Sequence, residues 1–198
     1  MAEERVPLEI RRAELEDAAE LLSIYAPYVE ESWVTFECVP PTVEEFRRRM
    51  EKFSRHYPYL VCCRAGEILG YAYAHRHMER EAYQWNAELS IYLSSRAAGR
   101  GLGTALYLTL MDLLRLQGVK TVCGIVTRPN PASEGLHRAL GFRLTGVREK
   151  AGYKNGTWHD VMWLEKPLGT YGPQPSPVLP VGQLPRDAVE RVLNAHLA

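Results

Sequence analysis

The segment Glu88-Leu89-Ser90-Ile91-Tyr92-Leu93, followed by Gly99-Arg100-Gly101-Leu102-Gly103-Thr104, constrains this chain more than any other stretch. Its first half reads as a strand on which Glu88, Ser90 and Tyr92 share one face and Leu89, Ile91 and Leu93 the other. Its second half opens a helix in which Leu102, Leu106, Leu110 and Leu114 recur every four residues, flanked by Ala105 and Leu113. An apolar stripe that wide has to lie on a sheet. A strand, a glycine loop and a buried helix in that order leave the first amides of the helix unpaired, with the positive end of its dipole behind them. Such a junction suits a phosphate-bearing ligand, and several converging N–H groups suit a diphosphate. One local unit therefore offers an anion cradle beside a carboxylate, a hydroxyl and a phenol.

The glycine spacing excludes two familiar nucleotide motifs. Gly99-x-Gly101-x-Gly103 places its third glycine one residue too early for a dinucleotide fingerprint, and no Gly-Lys-Ser/Thr ends it as a P-loop requires. A glycine triplet alone is also compatible with a plain turn before a helix. Its setting, with Arg96 and Arg100 adding positive charge, favours anion binding.

Around this unit the pattern alternates between strands and helices. Leu8–Ile10 reads as a short first strand, and Ala18, Leu21, Leu22 and Tyr25 carry helical spacing. Ser32–Glu37 has strand composition but is short. Thr42-Val43-Glu44-Glu45 fits a capping box for a charged helix over Val43–Arg55. Tyr59–Arg64 and Ile68–His75 form a hairpin about Ala65-Gly66-Glu67, and His77–Tyr83 is polar loop. Val119–Val126 is a buried strand, Asn130–Leu140 a short helix stopped at Gly141, and Phe142–Tyr153 and Trp158–Leu164 two closing strands. The expected architecture is α/β (α+β): a mixed, mostly antiparallel central sheet flanked by helices. Residues 1–168 make the domain, Gly169–Pro185 is a proline-rich linker, and 186–198 is an amphipathic helical appendage through Val189, Val192, Leu193 and Leu197. That helix docks on its own domain or on a partner.

Bulk properties narrow the partners. The chain balances 24 basic against 24 acidic residues, which argues against general nucleic-acid binding. No run is long and apolar enough to span a bilayer, and Met1–Arg5 lacks a signal core. The four cysteines, Cys38, Cys62, Cys63 and Cys123, form no CxxC pair and read as reduced thiols of a cytoplasmic protein. Adjacent Cys62 and Cys63 should point to opposite faces of one strand. His75 and His77 share a strand face, but no acid or cysteine stands at ligand spacing from them, so no metal is expected.

Several motifs in a fixed order carry a further resemblance. They are Thr35-Phe36-Glu37, Ala82-Tyr83-Gln84-Trp85-Asn86-Ala87-Glu88, Pro129-Asn130-Pro131-Ala132-Ser133, Leu136-His137-Arg138-Ala139-Leu140-Gly141-Phe142 and Gly152-Tyr153-Lys154-Asn155-Gly156-Thr157-Trp158-His159-Asp160. Together with the glycine loop, these resemble the GCN5-related N-acetyltransferase (GNAT) superfamily, in its phosphinothricin N-acetyltransferase-like branch, from about Leu8 to Leu168. The loop matches the family's Arg/Gln-x-x-Gly-x-Gly/Ala pattern at Gly101 and Gly103 and departs from it at Ala98.

The resemblance implies an enzyme that transfers acetyl from acetyl-CoA directly to the amine of a small amino-acid-like molecule, such as phosphinothricin, methionine sulfoximine or methionine sulfone. Cofactor contacts implied are Ile91, Tyr92, Leu93, Gly99, Arg100, Gly101, Leu102, Gly103, Thr104, Asn130, Ser133 and His137, with backbone amides near Ile91–Leu93 polarising the thioester. Phe36, Arg80, Tyr83, Glu88 and Tyr92 would shape the acceptor pocket, with Trp85 left to the core. Lys154, Trp158 and Asp160 fall where a second subunit of a homodimer would complete it. Glu88 is the candidate general base; without the resemblance it reads as a surface strand glutamate or a partner of Arg80. His137 is either the acid for the leaving thiolate, an orienting contact for coenzyme A, or a satisfied helix histidine. Asn130 is an N-cap, a coenzyme A contact, or both. Two other readings remain: a protein or peptide N-terminal acetyltransferase, and a non-catalytic CoA-binding module.

Overall fold

A computed structural model describes residues 7–97 and 101–196. Its first strand, β1 (Leu8–Arg12), leads into α1 (Ala18–Glu31) and α2 (Val43–Ser54). Then follow β2 (Tyr59–Arg64), β3 (Glu67–Arg76), β4 (Asn86–Leu93) and α3 (Leu102–Gln117). The chain closes with β5 (Thr121–Thr127), α4 (Pro131–Ala139), β6 (Arg143–Lys154), β7 (Thr157–Pro167) and α5 (Arg186–Asn194). Among the described residues the strands form one seven-stranded sheet in the order β1-β2-β3-β4-β5-β7-β6. Every neighbouring pair is antiparallel except β4 with β5. The expected mixed, mostly antiparallel α/β sheet is therefore the architecture found.

Each face of the sheet has its own core. Leu106, Leu110, Leu113 and Leu114 of α3 pack over Leu60, Cys62 and Ala72 on one face. Leu21 of α1 and Phe46 and Met50 of α2 pack over Val61, Cys63 and Tyr71 on the other. Cys62 and Cys63 thus belong to opposite faces, as strand alternation requires, and both thiols are buried and unpaired. Burial pushes the Cys62 thiol up to about 11, which keeps it protonated.

Local chemistry sets several boundaries. Thr42 Oγ1 accepts from the Glu45 amide at 3.2 Å and starts α2. The reciprocal half of the expected capping box is missing, because the Glu45 carboxylate pairs with Arg49 at 2.7 Å instead. Ser32–Glu37 forms bends rather than a strand. The proline-rich segment is tied down by polar anchors: the Trp85 indole donates to Ser176 O at 2.9 Å, and the buried Gln117 amide donates to His56 O and Leu179 O at 2.7 and 2.6 Å. Trp85 therefore anchors the tail rather than filling the core. Beyond it, α5 lies against α3 and β1 of its own chain, with Val189 and Leu193 buried.

Candidate active site

The break in the sheet makes the site. β4 and β5 pair only over Asn86–Glu88 and Thr121–Cys123, after which the two strands diverge. The gap is a cleft of about 480 Å³, walled by Glu88, Ser90 and Tyr92, by Gly101, Gly103 and Thr104 at the start of α3, and by Asn130 and Ser133 of α4. Ile125 of β5, inside the sheet by position, is 39% exposed because β4 has left its side.

Backbone geometry directs one β4 amide into this gap. The Ser94 amide donates to Leu69 O, and antiparallel pairing alternates between hydrogen-bonded and free residues, so even-numbered β4 residues bond to β3. Odd-numbered residues turn their amides the other way. Past the paired stretch, Ile91 N–H faces the cleft. The next such amide, Leu93 N–H, is occupied: it donates to Tyr28 Oη at 3.4 Å, while the Tyr28 hydroxyl donates to Leu93 O at 2.7 Å. Of the expected pair, Ile91 is the open donor and Leu93 is capped by tyrosine.

The other end of the cleft is the N-terminus of α3. Gly101 is its N-cap in the left-handed region, φ +75°, a conformation that strains any side-chain-bearing residue. No side chain caps the helix, so the amides of Leu102, Gly103 and Thr104 lack intrahelical partners and open outward. Ala98, Gly99 and Arg100 lie outside the described residues. The described half of the loop has the chemistry of a diphosphate cradle: a run of amides, the positive helix end and no competing side chain. Together with the open Ile91 amide, this donor set fits coenzyme A, whose diphosphate and amide-bearing arm need an anion seat and an unpaired strand edge.

Glu88 sits where the cleft begins. It stands directly across from His75 in the β3–β4 register. Its Oε2 lies 3.2 Å from His77 Nδ1 and its Oε1 3.7 Å from His75 Nε2. The partners of Glu88 are these two histidines, not Arg80. Sequence spacing gave the histidines no acidic neighbour; the strand register supplies one. Even so, among the described residues no group of three or more His, Cys, Asp or Glu has the geometry to hold a metal ion.

His137 is 2% exposed and wedged between Tyr107 and Phe142, with ring centroids 5.5 and 4.8 Å away. Its Nδ1 lies 2.8 Å from Ser133 O, a carbonyl that only accepts, so Nδ1 carries the hydrogen and Nε2 is a bare lone pair without a partner. Burial lowers its pKa and holds the ring neutral. A neutral ring in this tautomer accepts a hydrogen bond and cannot give a proton to a thiolate. Tyr107 lines the same wall, and burial raises its phenol pKa far above the usual value, so it keeps its hydrogen.

The other expected site residues divide between the cleft wall and its surroundings. Asn130 is the N-cap of α4, its Oδ1 accepting from Ser133 N at 3.2 Å, and it also lines the cleft. Tyr92 is fixed edge-on against Tyr25 and Tyr28, at 4.8 and 5.3 Å. Phe36 packs on Gly152 of β6, and exposed Arg80 and Tyr83 flank the turn before β4; none of these three lines the cleft. Lys154 is buried and braces the β6–β7 hairpin, its Nζ donating to Val29 O and Thr35 O at 2.7 and 2.8 Å. Asp160 accepts from the Lys150 amide at 2.8 Å, and Trp158 is exposed beside Tyr153. Two residues the sequence did not single out matter here. Tyr28 closes the β4 edge, and Gly124 of β5 leaves room for the His137 ring, whose Nε2 an added Cβ would strike. A lone glycine inside an apolar strand was the available signal for the second.

Comparison with protein families matches residues 10–163 to the acetyltransferase (GNAT) domain. Phosphinothricin N-acetyltransferase of Streptomyces viridochromogenes is 39% identical over 184 residues, 93% of this chain and 100% of that protein. L-methionine sulfoximine/L-methionine sulfone acetyltransferase of Pseudomonas aeruginosa is 32% identical over 158 residues, 79% of this chain and 92% of that one. Among solved structures, a GNAT-superfamily phosphinothricin acetyltransferase from Sinorhizobium meliloti in complex with acetyl-CoA matches with a TM-score of 0.84 at 33% identity, over 90% of this chain and 98% of that chain.

Proposed function

The chain belongs to the GNAT acetyltransferase family and is an N-acetyltransferase, and on that premise we propose that it acetylates the amine of a small amino-acid-like acceptor with Glu88 as general base. The acceptor class follows the relatives, which act on phosphinothricin and on methionine sulfoximine or sulfone. The observation that carries the reading is a single cleft with an anion seat at Gly101–Thr104, an open amide at Ile91 and a carboxylate at Glu88.

Acetyl-CoA supplies the activated acetyl group, and its diphosphate would be held by the amides of Leu102, Gly103 and Thr104. Ile91 N–H is a fixed donor that favours negative charge on the carbonyl oxygen under attack, at no cost of reorganisation. Glu88 receives the proton that the acceptor amine must lose, directly or through water. Ser90 and Tyr92, on the same strand face, shape the acceptor end with Val34 of the loop after α1. We assign to the Tyr107 hydroxyl, which keeps its hydrogen, a hydrogen bond to the departing thiolate, which takes its proton from water, since His137 presents only an acceptor. Attack is direct: buried Cys62, Cys63 and Cys123 line no part of the cleft, and burial pushes Cys123 up to about 12.

A thiol-release assay with acetyl-CoA and a panel of phosphinothricin, methionine sulfoximine, methionine sulfone, common amino acids and short peptides tests the reading. Turnover is expected with the first group, and Glu88→Gln is expected to lower kcat by about 10²–10⁴-fold while acetyl-CoA binding stays within a few-fold. Product with peptides alone would move the acceptor to protein N-termini. Binding of acetyl-CoA with no product from any amine would leave a non-catalytic module.

A further inference from the structure

Glu88 is placed between two imidazoles that its role as base does not by itself require. We infer that His77 positions the Glu88 carboxylate and that His75 carries the amine's proton from it to solvent on the far side of the strand pair, an inference that rests on the proposed reading of Glu88.

The two rings are set up for different tasks. His77 is the more enclosed, its side chain 10% exposed, with its ring edge-on to Trp163 at 5.5 Å. Its Nδ1 is 3.2 Å from Glu88 Oε2. An ionised carboxylate only accepts, so Nδ1 carries the hydrogen and the contact fixes Oε2 in place. His75 is oriented the opposite way. Its Nδ1 is 3.0 Å from Arg76 O, again an acceptor only, so Nδ1–H donates there and Nε2 is left as a bare lone pair. That lone pair faces Oε1, the carboxylate oxygen His77 does not engage, at 3.7 Å. The gap is open by several tenths of an ångström, and catalytic contacts of this kind tighten once substrate is bound.

His75 also reaches outside. Its ring stacks on Phe53 at 5.2 Å and lines a second cavity of about 530 Å³, which Glu88 does not line. Glu88 lines the cleft, which His75 does not. The pair therefore joins two separate solvent spaces. The outer cavity is bordered by Lys52, Arg55, His56 and Arg76 as well as Glu51 and Glu79, a polar wall that keeps it wet.

The remaining titratable groups facing Glu88 do not compete for the proton. Tyr73 of β3 is pushed by burial up to about 12 and Cys123 of β5 to about 12, and Tyr107 of α3 is raised further. All three already hold their hydrogens near neutrality. Glu165 of β7 stands behind Cys123 in the β5–β7 register and does not reach the pair. The His75 imidazole is the open acceptor. In the first transfer an amine N–H bond breaks and a Glu88 O–H bond forms at Oε1, the nitrogen keeping the electron pair for attack. In the second the O–H bond breaks as His75 Nε2–H forms. The imidazolium then gives its Nδ1–H to water in the outer cavity, exchange through water returns the remaining hydrogen from Nε2 to Nδ1, and Glu88 is again ionised.

The test uses the full chain with acetyl-CoA and whichever of phosphinothricin or methionine sulfoximine turns over faster. His75→Phe keeps the stack on Phe53 and removes both nitrogens; it is expected to lower kcat about tenfold or more with little change in KM. His75→Ala should fall similarly and recover as free imidazole is added, a response that a packing role does not produce. Imidazole should not rescue Glu88→Gln. If both His75 variants keep wild-type turnover while Glu88→Gln loses it, the relay is wrong and the base stands; if Glu88→Gln keeps wild-type turnover, the base itself is wrong. Nitrogen-15 NMR of the resting protein gives an answer independent of turnover: His75 should show a protonated Nδ1 and a bare Nε2, and His77 a protonated Nδ1. A protonated Nε2 on His75 at neutral pH overturns the assignment.

Discussion

At Gly124 the absence of a side chain decides where a ring can go. The His137 imidazole occupies the volume a β-carbon would need, so Gly124→Ala forces either the strand or α4 to move. Overpacking of this kind costs about 1–3 kcal/mol. For a chain of this length that is roughly 2–4 °C in Tm per kcal/mol. Scanning calorimetry should therefore show a clear drop for Gly124→Ala, and the double variant Gly124→Ala/His137→Ala should regain part of it; equal Tm values for wild type and Gly124→Ala would refute the clash. Residues of this sort also show the limit of sequence reading. Glu88 as a strand carboxylate and His137 on the short helix were legible from spacing. Which nitrogen of His137 bears the hydrogen was not, because Ser133 O, one helical turn back, sets it. The Glu88–His75 pair was hidden for another reason: it follows from the antiparallel register of β3 with β4, and no periodicity within either strand encodes that register.

Elements with strong periodicity were read almost to the residue. The leucine stripe of α3, the β2–β3 hairpin and the α4 start at Asn130 all needed only local chemistry. The tail needed more. A proline-rich stretch reads as a free linker by composition, yet Trp85, Gln84 and Gln117 provide polar anchors from far upstream, and these contacts hold it along the domain. Its consequence is that α5 belongs to the α3-side core. Leu193 is 7% exposed and packs in the same cluster as Val181, Leu184 and Val189. Truncation of a buried leucine costs about 2–5 kcal/mol, so Leu193→Ala should lower the urea midpoint of the whole chain in one cooperative transition. A separate early transition, with the main midpoint unmoved, would mean that α5 unfolds on its own and contributes nothing to the domain.

On the scale of the molecule the sheet ends unevenly. At one side β1 is short and covered by α5. At the other, β6 runs for twelve residues as an edge, with nine of the twelve positions exposed and with Leu144 at 54%, Val147 at 41% and Tyr153 at 60% exposure. Long edge strands carrying apolar side chains invite pairing, and monomeric proteins guard against them with short strands, charges or cover. Arg148, Glu149 and Lys150 and two register shifts guard the middle of β6, which leaves apolar surface at Leu144 and Val147 and at Tyr153, where Trp158 of the adjoining β7 extends it. We propose a second copy of the chain as the partner for this surface, because an apolar strip that pairs with itself closes in a two-fold dimer and leaves no further edge. Lys154 ties the same hairpin to Val29 of α1 and to Thr35, next to Val34 of the cleft wall, so a dimer built there would bring partner residues toward the acceptor end of the cleft. Light scattering at micromolar concentration should report twice the chain mass for the wild type. Val147→Asp, which places a charge on the strip while touching nothing in the cleft, should shift that mass to the monomer and weaken acceptor binding more than acetyl-CoA binding. A wild-type mass of one chain would sink the dimer, and a monomeric Val147→Asp with unaltered acceptor KM would show that each subunit completes its own site.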